Sequence, residues 1–291
     1  MHRPKLMKQS IILFLLILLP NLSTAEDARN IMQQVIDRDD GKSQYSRQTI
    51  ATCKYEIKNK KLRCVNKPRI KVVEAVQKDR GKNGKDSQSI SIIKKPAAER
   101  GIGFLQYDYY DVSKDTEQWM YLSAMGKIKR IVAGNDNEPK TGTLFGSEFS
   151  YEDTERPHLD DYTYKLVKED TYRKRDCWVI ESQPTPKHAR KSNYRRSLMW
   201  IDKKRMMMIK GQFYDRRGRL NKQLVMSKIK KVDGVWVAQQ LNMTNIQSKR
   251  ITTMKMNDIV LNINVNDALL TKRTLTDGAF REQQLNTIRT N

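Results

Sequence analysis

The chain has 291 residues and carries 56 Lys and Arg against 33 Asp and Glu, a formal net charge of +23. That length fits one large β-rich domain or two small ones. Three cysteines in no zinc-binding spacing and three histidines leave little for a metal centre, and the charge speaks to partners and solubility, not to fold.

In chain order, the first predicted element is a leader. Arg3, Lys5 and Lys8 precede an apolar run from Ile11 to Leu19, followed by Pro20 and the small-residue end Ser23–Ala25. This is the pattern of a secretory signal peptide, cleaved after residue 25. The run is shorter than the roughly 20 apolar residues that span a bilayer. Without the leader, 53 basic residues face 33 acidic ones, a charge of +20. In an exported chain that charge serves either solubility alone or an encounter with anionic lipid head groups; nucleic acid is not the expected partner.

Residues 27–38 place Ile31, Met32, Val35 and Ile36 at helical spacing, with Asp27 available as a cap. Strand signals then dominate. Thr49–Ile57 and Leu62–Val76 read as a pair, and Cys53 and Cys64 flank a polar turn at Asn59–Lys61 where a cross-strand disulfide fits an oxidising compartment. Cys177, beside Trp178 in an apolar strand, reads as a buried thiol. Residues 77–88 and 133–143 read as surface loops, with strands at 89–93, 101–108 and 118–122 between them.

Further on, 196–202 and 205–215 form a hairpin around Lys203 and Lys204, and Asp233-Gly234 turns the next pair. Ile259, Leu261, Ile263 and Val265 alternate with more polar residues at a period of two. Residues 266–275 read as a short helix or loop, and the tail from 277 as frayed. The expected architecture is mainly β with few helices: a large, curved antiparallel sheet that closes, packs on another layer, or holds a ligand.

One stretch stands apart. Residues 147–162, SEFSYEDTERPHLDDY, hold six carboxylates with His158 among them in an otherwise basic chain. The run lacks the oxygen spacing and glycine of an EF-hand and the HExxH pattern. Nothing in it fixes the carboxylate separation of a glycosidase. No nucleophile elbow, P-loop or dinucleotide fingerprint occurs elsewhere. The sequence therefore reads as that of a non-enzyme without a cofactor. The 13 methionines, including Met206–Met208, would suit either an ordinary core or a wall that adapts to an acyl chain.

Four segments, 91–109, 118–131, 142–154 and 214–245, together resemble the LolA/LolB-like outer-membrane lipoprotein-sorting family. More narrowly, they resemble its branch in which GSxFSYED follows a WxYLxA segment. The resemblance runs from about residue 28 to 276. It implies a half-open antiparallel β-barrel with helices in or over its mouth, as a single domain at 26–276. It also implies a periplasmic carrier or chaperone for acyl chains of a lipoprotein or lipid, and members found beside RND-type transporters; the basic charge adds transient contact with an anionic membrane. An adaptor of such an exporter, acting through its surface with a filled barrel, is the first alternative, and an unrecognised hydrolase the second.

Gly146, Ser147, Glu148, Tyr151, Glu152 and Asp153 would then be a scaffold motif. Its carboxylates would pair with Lys127, Lys129 and Arg130 or ring the mouth. Alternation and aromatic content point to Phe104, Trp119, Tyr121, Phe145 and Phe149, then Trp200, Met206, Met208 and Phe213, as the cavity wall. Two departures from the branch are the cysteine pair and Ser123 where proline is usual.

Overall fold

The structure, a computed structural model, describes residues 23–81, 84–135 and 138–290. Helix α1 (Ser23–Ile36) opens the described chain and is followed by β1 (Ser43–Lys58), β2 (Lys61–Cys64), β3 (Arg69–Arg80), β4 (Asp86–Lys95), β5 (Gly103–Asp108), β6 (Glu117–Leu122) and β7 (Lys127–Ile131). After a segment of short 3-10 turns come β8 (Tyr162–Thr171), β9 (Asp176–Pro184), a helical turn α2 (Pro186–Ala189), β10 (Tyr194–Asp202), β11 (Met207–Asp215), β12 (Leu220–Val232), β13 (Val235–Asn245) and β14 (Arg250–Leu261). Helices α3 (Lys272–Thr276) and α4 (Gly278–Arg289) close the chain. Most of the leader, residues 1–22, lies outside the described residues, and the expected cleavage point after Ala25 falls within α1.

One antiparallel sheet accounts for all the strands, in the order β7-β6-β5-β4-β3-β1-β14-β13-β12-β11-β10-β9-β8, with β2 attached to β1 alone. Apart from the step from β1 to β14, neighbours in the sheet are neighbours in sequence or separated only by β2, joined by turns, short loops or, between β9 and β10, by α2. Asp233-Gly234 is one such turn, with both residues at positive φ. Register shifts at Tyr45/Arg47, Val72/Val73, Leu166/Lys168, Trp200/Ile201 and Phe213/Tyr214 mark bulges that bend the strands. The sheet stays open between β7 and β8, which makes it a half-open barrel of the LolA type.

Its two faces are covered differently. On the outer face of β1 and β3–β6, Val76, Ile90, Ile92, Leu105 and Trp119 pack against Leu269, Leu270, Leu275, Leu285 and Ile288. The tail is thus a packed helix, not a frayed end. Asp277 caps α4 by accepting from Phe280 N, and Arg289 binds the buried Glu74, which also accepts from Tyr45 Oη. Gly103 makes this approach possible: a Cβ there would lie 2.7 Å from both Ile92 Cδ1 and Leu275 Cδ2. The expected loop at 77–88 shrinks to a hairpin turn, because β3 and β4 stay paired out to Arg80 and Asp86.

The link between the two sheet edges, residues 132–161, turns inward. Leu144, Phe145, Phe149 and Tyr151 join Ile50, Val73, Ile93, Phe104, Met120, Met243 and Met254 in the inner core. Tyr151 stacks on Phe104 at 5.8 Å. Within this strap, residues 143–154 are two 3-10 turns, at Leu144–Gly146 and Glu152–Thr154, held by a bridge from Thr143 to Ser150, rather than a strand with alternating faces.

Candidate functional site: an inner cavity beside an anchored strap

The strap's carboxylates are structural anchors, and their partners differ from those expected. Glu148 pairs with Arg250 of β14 and accepts from Asn245 of β13. Asp153 takes Lys222 Nζ at 2.8 Å and Tyr194 Oη at 2.7 Å. Glu152 accepts from the hydroxyl of Ser192 and from the backbone and side-chain nitrogens of Asn193. On the other flank, Gln118 Nε2 donates to Tyr151 O, and the Thr154 hydroxyl donates to Gln106 Oε1. The strap therefore ties β5–β6 to β10–β14 across the opening. Lys127 and Lys129, the expected partners, are exposed on the edge strand β7, and Arg130 pairs with Glu117 instead.

Between strap, α1 and the inner face of β8–β13 lies a cavity of about 840 Å³. That is within the range of small-molecule sites, roughly 300–1,000 Å³. Its apolar wall comes from Met32 of α1, Tyr164 of β8, Met199 and Met208 of β10–β11, Leu224 and Met226 of β12, Leu241 and Met243 of β13, and Phe149 of the strap. Helix α1 presents Ala28 and Met32 to Tyr164, Ile180 and Ile201, which seats it over β8.

The other end of the cavity is polar. Lys140 Nζ lies 2.8 Å from Glu155 Oε1 and donates also to Thr116 O and Gln118 Oε1. Burial, opposed by the Lys140 ammonium, lifts the Glu155 carboxyl to about 6. Burial likewise raises Glu152. Tyr162 Oη sits 2.9 Å from His188 Nε2, and His188 Nδ1 faces Asp161 at 3.4 Å. Burial pushes the Tyr162 phenol well above its usual value and lowers His188, which keeps both neutral near pH 7. Lys187, exposed at this end, has no ion-pair partner among the described residues. Such a cavity can receive an apolar tail at one end and a polar head at the other.

Of the nine residues expected to line a cavity, Phe149, Met208 and Phe213 do. Phe104 and Phe145 lie beside them in the filled part of the inner core. Trp119 and Tyr121 point outward, under the C-terminal helices, where Trp119 makes an edge contact with Tyr107. Trp200 is also outward, with Lys210 Nζ 3.7 Å from its ring centroid. Met206 sits in the β10–β11 turn at φ +48°. In each outward case an adjacent residue of the strand, Met120 or Met199, faces in; a one-residue offset reverses the face. Met32, Met199, Met226, Leu241 and Met243 were missed. For Met199, Met226 and Met243 the methionine richness of 199–256 was the signal.

Cys53 and Cys64 form the disulfide, and Cys177 is a buried free thiol raised by burial. Among the described residues no group of three or more His, Cys, Asp or Glu is placed to hold a metal ion, and no helix is long and apolar enough to cross a membrane.

An open antiparallel barrel, an inner cavity and a strap across its mouth define a LolA-like fold. The model of a family of uncharacterized proteins, DUF1329-like, matches residues 85–277, more than half of the chain, and the chain belongs to that family. Three solved structures share the architecture. A DUF1329 family protein from Desulfovibrio piger has a TM-score of 0.76 at 22% identity over 87% of this chain and 99% of its own. A putative outer membrane lipoprotein-sorting protein domain from Vibrio parahaemolyticus has 0.73 at 25% identity, covering 87% and 99%. A LolA superfamily protein from Nitrosomonas europaea has 0.61 at 19%, covering 86% and 98%. No curated protein matches the sequence.

Proposed function

We propose that the protein is a non-catalytic carrier that shelters the acyl chain of a lipid or lipoprotein in the cavity between α1, the strap and β8–β13. The cavity itself is the observation that carries the reading: about 840 Å³ with a methionine-rich wall and a polar end. Each methylene removed from water contributes roughly 0.8 kcal/mol, so a hydrocarbon tail gains substantially on entry. Thioether side chains are unbranched and polarizable, which suits a ligand that must enter and leave. The name of the Vibrio parahaemolyticus relative, a putative lipoprotein-sorting domain, supports the same reading. So does the expected leader, which would deliver the rest of the chain, α4 included, to the periplasm as one carrier domain.

The carrier's work is physical. Cargo partitions between membrane and cavity, and α1 and the strap set how readily the cavity opens. A filled barrel acting only through its surface, as an exporter adaptor would, does not call for such a void. Saturable binding of a fluorescent fatty acid, displaced by phospholipid, tests the proposal. Leu241→Trp, which fills the void from the partly buried edge of β13, should abolish that binding with the fold retained by circular dichroism. Absence of saturable binding, together with no lipid in native mass spectra, would sink it.

A further inference from the structure

Beyond the buried Tyr55, residues 56–58 of β1 and all of β2 form a hairpin whose side chains are exposed on both faces. β2 pairs only with β1, and all four of its residues are exposed. A lone two-stranded hairpin is marginally stable in water. Here the Cys53–Cys64 disulfide holds it at the base. The cavity and the strap make no use of it.

What the hairpin presents is amphipathic. Ile57 and Leu62 lie directly opposite each other, so they share a face. They are 71% and 47% exposed, and Val65 just beyond is 57% exposed. The opposite face carries Lys58 across from Lys61, and Glu56 across from Arg63. Like charges placed directly across a strand pair destabilise it, so the Lys58–Lys61 pairing does not serve the fold. Residues 54–69 hold seven basic side chains and one acidic one, Glu56. Among the described residues none of the seven takes part in an ion pair. The neighbouring turn adds to the same patch: Tyr55 N donates to Lys249 O, and Ile246 beside it is exposed.

We propose that this disulfide-pinned hairpin is a docking finger for an anionic phospholipid surface. Ile57 and Leu62 enter the interfacial layer while Lys58, Lys60, Lys61 and Arg63 stay with the phosphates. Apolar faces of this kind bury about 5–10 Å into the head-group boundary. A row of unpaired cations matches a surface of repeated phosphates, with no need for a shaped partner. Strand addition by a protein is the poorer match, because β2 is four residues long and a lysine-rich edge resists it. The disulfide keeps the apolar pair from folding back onto the sheet. The finger acts whatever the cavity holds.

Co-sedimentation of the full chain with vesicles of phosphatidylglycerol, and separately of phosphatidylcholine, tests the assignment. The wild type should bind the anionic vesicles, ignore the zwitterionic ones and weaken as salt rises. Ile57→Ser with Leu62→Ser should lower the affinity at least about tenfold, from the lost apolar insertion. Lys58→Glu with Lys61→Glu should lower it about 25-fold or more, at about fivefold per charge removed. Both pairs are exposed, and both variants should bind fluorescent fatty acid as the wild type does. Wild-type affinity in both variants, or equal binding to the two vesicle types, overturns the proposal. So does a chain that ignores both vesicles and binds a polyglutamate peptide, which would assign the finger to an acidic protein. Loss of fatty-acid binding with vesicle binding intact would strike the carrier reading and leave the finger standing.

Discussion

The two halves of the sheet solve the same packing problem in opposite ways. In β3–β6 both faces are filled. Helices α3 and α4 cover the outside, and the rings of the strap fill the inside against Phe104 and Met120. In β8–β13 the outer cluster around Trp200 and Ile209 is flanked by basic side chains lying over its aromatic rings, with no helix among the described residues laid across it. The inner face is left with a void walled by methionines. Rings that stack in place make the rigid half; thioethers that can rearrange make the half with room for cargo. A deletion should therefore be felt strongly in the filled half and at the strap's anchors, and weakly around the void.

The sharpest contrast lies at the anchor that joins the halves. Lys222 and Asp153 are 8% and 4% exposed. Lys222→Met would leave Asp153 buried with only the Tyr194 and Ser150 donors. The expected cost is about 3–5 kcal/mol, read as a lower urea midpoint, with exposure of the cavity to a hydrophobic dye. A loss under about 1 kcal/mol would mean that the strap is not what ties the two halves, since exposed pairs contribute only that much. Next, Leu270→Ala beneath the C-terminal helices should cost about 2–5 kcal/mol, because Leu270 is fully buried and its neighbours are locked. Leu241→Ala, bordering the void, should cost clearly less. Equal losses at the two sites would erase the distinction between a filled and a hollow half.

These contrasts also explain what the sequence disclosed. The hairpins around Lys203-Lys204 and Asp233-Gly234 were legible from turn chemistry, and the open antiparallel barrel followed from their succession and the family resemblance. Which face of each strand looks inward was legible at Phe104 of β5 but not in β6 and β10. Strand β6 is apolar on both sides because helices cover its outer face, so polarity does not alternate in the usual way. Ring size then suggested Trp119 and Trp200 as the inner residues, but each lies outward next to an inward Met120 or Met199. The tail looked frayed because α4 has few apolar residues. Its hold on the sheet comes from Leu285, Ile288 and the long-range Arg289–Glu74 pair, which no local pattern announces. The strap was recognised as a motif, but its inward course rests on contacts a hundred residues away, such as Glu148 with Arg250.

A smaller effect tests the polar end of the hollow half. Glu155 has a folded value near 6 against an ordinary 4.5, because burial outweighs its bond to Lys140. A carboxyl raised by folding costs nothing while protonated in both states, below about pH 4.5. The cost grows from there and is complete above about pH 6. Stability should thus fall by about 2 kcal/mol as pH rises through that window. Glu152 is raised in the same direction, so the diagnostic is the difference between wild type and Glu155→Gln. Urea denaturation at pH 4.5, 5.5 and 6.5 should show the variant losing less stability across the range. Parallel curves would mean that Glu155 is hydrated at the cavity end, which would place water where a polar head group is expected.

The smallest effect separates packing from function most cleanly. Met208→Leu and Met226→Leu conserve volume at the cavity wall, and such exchanges usually cost under about 1.5 kcal/mol. Met254→Leu is the matched change in the filled half, where Met254 is 7% exposed within the strap core. All three variants should therefore look alike in urea. They should part in binding. A branched leucine holds a few defined rotamers, whereas methionine follows the ligand through three rotatable bonds. The two cavity variants should then discriminate more strongly between straight saturated and kinked cis-unsaturated fatty acids in a displacement assay, while Met254→Leu behaves as the wild type. If all three shift binding equally, the methionines act through overall looseness of the sheet and not as the wall of a site. If none does, the cavity is not where the acyl chain lies, and the difference between the two halves is one of packing alone.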